Sequence, residues 1–330
     1  MPSTVRVAII GAGLAGRQHA EAYATLPSTR ITVVCDVDRA RGEPLATQMG
    51  ARYAAGVDEA LGADVDAVVI ALPHRDLEEA ALAAAQARKH ILLEKPMAAA
   101  LAGADAILRA CRQAGVNLMV GFVHRFRVEL RAARALIAAG AIGRPVMIVD
   151  RSRSAMRGDH PGWIWRRDVA GGGNLLYTGI HGLDRMRWLL GAEFETAYAR
   201  THQTFPGADV ENMVAACLTF ASGATGIMAL TRVHFPEQHA WDTEVYGTDG
   251  SIRIRTGVEM VCAGTRIASR QRVEQDDRFL AEAGEFVQAI LEDRPPAVTG
   301  EDGRAALAAA MAIYRSAAEG KPVRLEPAAP

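Results

Sequence analysis

The chain has 330 residues, half of them hydrophobic and under a quarter charged, with a formal net charge of -1. That length suits about two domains, and so apolar a chain buries a sizeable core instead of staying disordered. The near-zero charge offers neither a nucleic-acid groove nor a basic membrane surface.

Cys35, Cys111, Cys217 and Cys262 lie far apart, with no C-x-x-C pair and no zinc-ligand spacing, and read as free thiols. The histidine spacing gives no metal site either. Met1 to Thr4 lead directly into Val5–Ile10, an apolar run too short for a signal peptide. No run of about 18 residues reads as a membrane span. The expected location is the cytoplasm.

The first 121 residues alternate short β-branched runs with Ala-rich helical stretches. Strands are predicted at Val5–Ile10, Ile31–Cys35, Ala67–Leu72, His90–Leu93 and Asn117–Gly121. Helices are predicted at Leu14–Leu26, Arg39–Met49, Asp76–Arg88 and Leu101–Gln113. The strands are nearly all apolar and do not alternate, as in a parallel sheet covered by helices, so the pattern predicts a doubly wound α/β sheet.

After Gly121 the texture changes. A helix is expected at Leu130–Ala139, a strand at Pro145–Arg151, a loop at Gly158–Gly173 and a helix at Leu175–Leu190. Strands follow at Ala197–His202, Met213–Phe220, Thr225–Thr231, Asp242–Tyr246 and Ser251–Arg255. Strands in succession imply an antiparallel or mixed sheet. Helices at Phe279–Leu291 and Gly303–Glu319 and a loose tail from Glu326 complete the reading.

Gly11-Ala12-Gly13-Leu14-Ala15-Gly16 is a G-x-G-x-x-G between the first strand and the first helix, the setting of a Rossmann dinucleotide turn. Gly11 permits the turn, Gly13 lets backbone approach a pyrophosphate, and Gly16 allows helix and strand to pack closely. The helix start at Leu14 then presents free N–H groups to the anion. Asp36 lies 20 residues after Gly16, where a carboxylate accepts from the adenosine ribose and repels a 2′-phosphate. NAD is therefore favoured over NADP, although Arg39 and Arg41 are placed to swing toward a phosphate.

Glu94-Lys95-Pro96 follows the strand ending at Leu93, and a Gly171-Gly172-Gly173-Asn174-Leu175-Leu176-Tyr177-Thr178-Gly179-Ile180-His181-Gly182-Leu183-Asp184 run ends in Trp188-Leu189-Leu190-Gly191. With the glycine turn, these motifs closely resemble the Gfo/Idh/MocA oxidoreductase family over almost the whole chain. The resemblance implies an NAD(P)-binding Rossmann domain at 1–121. It also implies an α/β domain at 122–330, with a large open, mostly antiparallel sheet that binds substrate and forms a homodimer or homotetramer. The last helix is open to packing back on the first domain. The implied chemistry is reversible hydride transfer between NAD(P) and a hydroxyl carbon of a sugar, inositol or related polyol.

Lys95 sits at the carboxyl end of a parallel strand, where an ammonium hydrogen-bonds a reacting oxygen and stabilises alkoxide. His181 is the leading general base, since imidazole exchanges protons near neutral pH. Tyr177 departs from the family, whose ordinary dehydrogenases carry Asp four residues before the histidine. It is either a proton carrier beside Lys95 or a side chain that trims the pocket. Leu72, Pro73, His74 and Glu94 are expected along the cofactor, and His19 reads as structural. Candidate substrate contacts are His124, Arg125, Trp163, Trp165, Arg166, Asp168 and Asp184, the last also placed to orient His181 or serve packing. Arg151, Arg153, Arg157, Arg166 and Arg167 hint at an acidic substrate or form a solvated rim. Two further readings stay open. One is a tightly held NAD that oxidises transiently to permit epimerisation, elimination or glycoside cleavage. The other is a non-catalytic dinucleotide sensor, against which Lys95 and His181 argue.

Overall fold

The computed structural model describes residues 4–62, 64–155, 162–233, 240–255, 257, 259–265, 267–272 and 277–325. Arg157, the start of the expected loop at Gly158 and the tail Glu326–Pro330 lie outside the described residues.

In chain order the elements are β1 (Val5–Ile10), α1 (Leu14–Thr25), β2 (Thr29–Cys35), α2 (Arg39–Gln48), β3 (Arg52–Ala54), α3 (Val57–Leu61), β4 (Ala67–Ile70), α4 (His74–Gln86), β5 (His90–Leu93), α5 (Leu101–Ala114) and β6 (Leu118–Val120). Then come α6 (Val128–Ala138), β7 (Pro145–Ala155), α7 (Arg167–Ala170), α8 (Ile180–Leu190), β8 (Phe194–His202), β9 (Met213–Phe220), β10 (Thr225–Val233), β11 (Ala240–Gly247) and β12 (Gly250–Arg255). The last are β13 (Glu259–Gly264), β14 (Ala268–Arg272), α9 (Arg278–Leu291), α10 (Gly300–Glu319) and β15 (Val323–Arg324).

The described residues up to Val123, with Asp277–Arg304, form one compact unit. Its six strands are all parallel, in the order β3-β2-β1-β4-β5-β6. The chain builds outward from β1 to β3 and then resumes at β4 on the other side of β1. That reversal opens a crevice at the carboxyl ends of the central strands, the place where doubly wound sheets take ligands. Val7 to Ile10 and Val68 to Ile70 have no exposed surface, because helices cover both faces. In this unit α9 packs on α1.

The described residues of His124–Asp276 and Ala305–Pro330 form the second unit, so the boundary falls inside α10. Its sheet has nine strands, in the order β14-β13-β12-β11-β7-β10-β9-β8-β15. Only the β7–β10 pairing is parallel, so the sheet is mostly antiparallel. β10 alternates: Gly226, Met228, Leu230 and Arg232 are buried, while Ile227 faces outward. The helix α8 lies on β7, and its Ile180, Leu183, Met186 and Leu189 have no exposed surface. Each such side chain contributes about 1.5–3 kcal/mol on burial, which makes α8 a firm platform.

The stretch Leu175–Leu190 is not one α-helix as expected. Leu175–Gly179 forms a π-turn, and α8 starts only at Ile180. A π-turn widens the helix by one residue and re-aims its side chains. The expected loop before it holds a 3-10 turn at Gly162–Trp165 and the short α7.

Candidate active site

At the end of β1, Gly11 has φ +100°, and a Cβ there would lie 2.3 Å from the Ala71 carbonyl oxygen. A Cβ on Gly16 would lie 1.8 Å from the Gly11 carbonyl oxygen, so both positions demand glycine. Gly13 is the N-cap of α1, without a side-chain cap and with no acidic residue in the first turn. A Cβ on Gly13 would meet nothing within 4 Å, so this helix start is open. Its uncapped N–H groups and positive helix end suit an anion. Leu14, the first helical residue, is largely exposed.

Asp36 follows β2 and is buried. Its Oδ2 accepts from the Ala12 N–H at 2.8 Å and its Oδ1 from the Asp38 N–H at 2.8 Å, which ties the second strand to the glycine turn. Arg39 forks onto Glu43, one turn along α2, at 2.8 and 2.9 Å. The Arg39 hydrogen bond holds the Glu43 carboxyl below its usual range. Arg41 sits 3.0 Å from Asp38 and 3.5 Å from Asp36. Both arginines thus rest against carboxylates.

Leu72 and Pro73 follow β4, with Pro73 the N-cap of α4. His74 is the first residue of α4, just beyond the carboxyl end of β4, and is buried. Past β5, Glu94 Oε1 lies 2.9 Å from His19 Nε2, and Oε2 accepts from the Lys95 backbone N–H at 3.2 Å. Burial pushes the Glu94 carboxyl up, but the His19 hydrogen bond and the Lys95 charge outweigh it and leave it below its ordinary value. Behind them, α9 supplies Glu282, fully buried, with no hydrogen-bond partner for either carboxylate oxygen among the described residues. Burial, reinforced by the Glu94 charge and opposed by Arg278, raises the Glu282 carboxyl well above its ordinary value. Phe279, also on α9, sets its ring edge-on to His19 at 5.1 Å.

In the second unit the triple-glycine run is clasped by Glu211. Its carboxylate accepts from the Gly173 N–H at 2.9 Å, the Leu175 N–H at 2.8 Å and the Tyr314 hydroxyl at 3.0 Å. Burial raises the Glu211 carboxyl above its usual range, although these bonds oppose the shift. The clasp fixes the start of the π-turn that carries Tyr177. Around Tyr177 stand the Trp163 ring, edge-on at 6.1 Å, and the buried Arg232, whose Cζ lies 5.4 Å from the phenol centroid and 5.7 Å from the Trp165 ring. Burial lowers the basicity of Arg232, and Tyr177 opposes that shift.

His181 is buried in the first turn of α8, and its ring stacks on His124 with centroids 4.3 Å apart and 13° between planes. Arg125 and Asp184 meet each other: Nε lies 2.9 Å from Oδ2 and Nη2 2.5 Å from Oδ1, with both residues buried. Asp184 therefore ties α8 to the Arg125 segment. Arg166 and Asp168 pair at the surface at 2.7 Å. Arg151 and Arg153 lie on the outer sheet face beside Glu244 (3.1 Å) and Asp242 (3.9 Å), a solvated arrangement.

The sequence reading set His19 aside as structural and did not single out Glu282, Asp150, Arg185 or Arg232. A buried polar residue on an otherwise apolar helix face was the signal available for His19 and Arg185.

Residues 5–122 match the profile of an oxidoreductase family's NAD-binding Rossmann fold, and residues 134–325 match that family's C-terminal alpha/beta domain. Myo-inositol 2-dehydrogenase of Thermotoga maritima is 30% identical over 339 residues, covering 98% of this chain and 99% of that protein. The 1,5-anhydro-D-fructose reductase of Ensifer adhaerens is 31% identical over 331 residues, covering 97% and 98%. A solved structure of levoglucosan dehydrogenase in complex with NADH matches with a TM-score of 0.91 at 25% identity, covering 98% of this chain and 99% of that one.

Proposed function

We propose that this chain, which belongs to the Gfo/Idh/MocA oxidoreductase family, moves a hydride between NAD and a hydroxyl-bearing carbon of a sugar, inositol or related polyol. One observation carries the reading. The uncapped start of α1, Asp36 and Glu94–Lys95 follow the carboxyl ends of β1, β2 and β5, the ligand edge of a parallel sheet.

The open helix start at Gly13 and Leu14 fits a pyrophosphate, and Asp36 fits a ribose diol. NAD, when bound, supplies the hydride acceptor. Leu72, Pro73 and His74 flank it in this assignment, and Arg39, held by Glu43, leaves Asp36 to select NAD over NADP.

For oxidation, the substrate O–H bond breaks and its proton passes to a ring nitrogen of His181, while the carbinol hydrogen leaves with its electron pair. Lys95 is assigned to stabilise developing alkoxide charge. Tyr177, between Trp163 and Arg232, binds and orients substrate hydroxyls. Trp163 and Trp165 offer faces for the apolar side of a sugar ring.

In this reading residues 1–121 serve the cofactor and residues 122–330 the substrate and a homodimer or homotetramer contact. The outer face of the nine-stranded sheet supports such a contact. It carries half-exposed Tyr198, Ile227 and Tyr246 beside a row in which Glu244 takes Arg151 and Arg253. The four cysteines are all free, which fits a cytoplasmic enzyme. No helix among the described residues is long and apolar enough to cross a membrane.

Tyr177 at the usual Asp position favours a second reading, in which a tightly held NAD oxidises transiently and is restored. Inositols, hexoses, anhydro-sugars and uronates, each mixed with NAD or NADP, separate the two. Stoichiometric NADH supports the first; product without net NADH supports the second.

A further inference from the structure

Arg185 is the largest fully buried side chain among the described residues, at 1% exposure, and lies one turn beyond His181 on α8. None of the roles above uses it. Its Nε and Nη2 fork onto Asp150 of β7 at 2.9 and 2.7 Å. Thr243 of β11 locks the fork, accepting from Arg185 Nε at 3.0 Å and donating to Asp150 Oδ2 at 2.8 Å. The guanidinium also lies 4.7 Å from the Trp241 ring centroid. Its remaining arm, Nη1, reaches His124 Nδ1 at 2.8 Å.

That last contact fixes a tautomer. A guanidinium only donates, so His124 Nδ1 must accept and its ring proton must sit on Nε2. Protonating His124 further requires Nδ1. Two donors would then face each other at hydrogen-bond distance, cation against cation.

His124 lies face to face with His181, and Trp241 braces it edge-on at 5.2 Å. Two stacked imidazoles of like intrinsic basicity compete for one proton. We propose that Arg185, acting through His124, removes His124 from that competition, so that the stacked pair takes up its proton on His181. Arg185 is thus a positioning residue. The imidazolium formed at His181 rests on a neutral ring, a cation-on-π arrangement. Asp150 balances the guanidinium charge, so the effect travels through the direct hydrogen bond. Among the described residues two further cations near by are also paired: Arg125 with Asp184, and Arg127, which feels Arg185, with Glu129 at 3.6 Å. The inference rests on the reading of His181 as proton acceptor.

The test is nitrogen-15 NMR of the histidine-labelled full-length enzyme with NAD, with the two rings assigned through His124→Gln and His181→Gln. Between about pH 8 and pH 5.5, where histidines titrate, His181 is expected to become doubly protonated while His124 Nδ1 keeps its lone pair. A His181 that never gains the proton, or a His124 that gains it, overturns the proposal. Arg185→Lys keeps the charge and loses the fork. It is expected to let His124 titrate and to lower kcat about tenfold with little change in KM. A folded Arg185→Lys enzyme with both properties unchanged overturns the proposal independently. His181→Asn at full turnover would sink the proton-acceptor role alone, and the His124 spectrum would still report the tautomer.

Discussion

His19 on α1 and Glu94 after β5 meet at 2.9 Å inside the first unit. The bond steadies the acid whose neighbour, Lys95, is assigned to the reacting oxygen, and it holds that acid ionised against burial. His19→Leu should leave Glu94 Oε1 without this partner and cost about 1–3 kcal/mol of stability, the scale of a buried polar group deprived of its bond. Turnover should fall with it. Denaturant midpoints and kcat check both; an unchanged midpoint would remove His19 from this role.

Glu282 gives a pH dependence with a defined sign. Its carboxyl is raised in the folded state by burial first and by Glu94 second. Below the unfolded carboxyl value of about 4.3 it is neutral in both states and costs nothing. Above that pH the unfolded chain ionises before the folded chain does, so stability falls as pH rises toward the raised folded value, by up to about 1.4 kcal/mol per pH unit. Glu282→Gln should therefore gain stability over the parent, and the gain should grow as pH rises from about 5 and level off where the folded carboxyl itself ionises. Melting temperatures of the two proteins across that range decide it. A gain that shrinks with pH contradicts the account.

Asp36→Ser should lower kcat/KM for NAD about ten- to a hundredfold, the worth of a hydrogen bond to a charged group. NADP should gain relative to NAD. Because Asp36 also holds the Ala12 N–H, the melting temperature should drop as well. Unchanged NAD kinetics would move ribose recognition elsewhere.

Tyr177→Phe should raise KM about two- to tenfold, the net worth of one neutral hydrogen bond, with kcat nearly held. A kcat loss of about a hundredfold, the scale of a proton carrier, would transfer the base role from His181 to Tyr177.

Much of this was legible in the sequence because local chemistry announces it. β1 is apolar apart from Arg6 and followed by a glycine turn, so its place in a covered parallel sheet could be read directly. Elements stabilised by neighbours were not. β3, only Arg52–Ala54, and β14, polar at every position after Ala268, gain their ladders from adjacent strands. The π-turn at Leu175–Gly179 is held by Glu211, more than 30 residues away in sequence, so a 3.6-residue period misreads it. The proposed roles divide the same way. Lys95 and His181 carry recognisable motifs, whereas His19, Arg185 and Glu282 have meaning only through partners distant in sequence.

The central claim is hydride transfer to NAD with Lys95 on the reacting oxygen. Its most direct measurement uses the best substrate of the polyol panel, deuterated at the carbinol carbon, with wild-type enzyme and Lys95→Met. The account predicts deuterium in the reduced nicotinamide, and a loss of about a hundredfold or more in kcat for Lys95→Met, as for removal of an oxyanion donor. Deuterium that never reaches the nicotinamide, or a Lys95→Met enzyme at full rate, would contradict it.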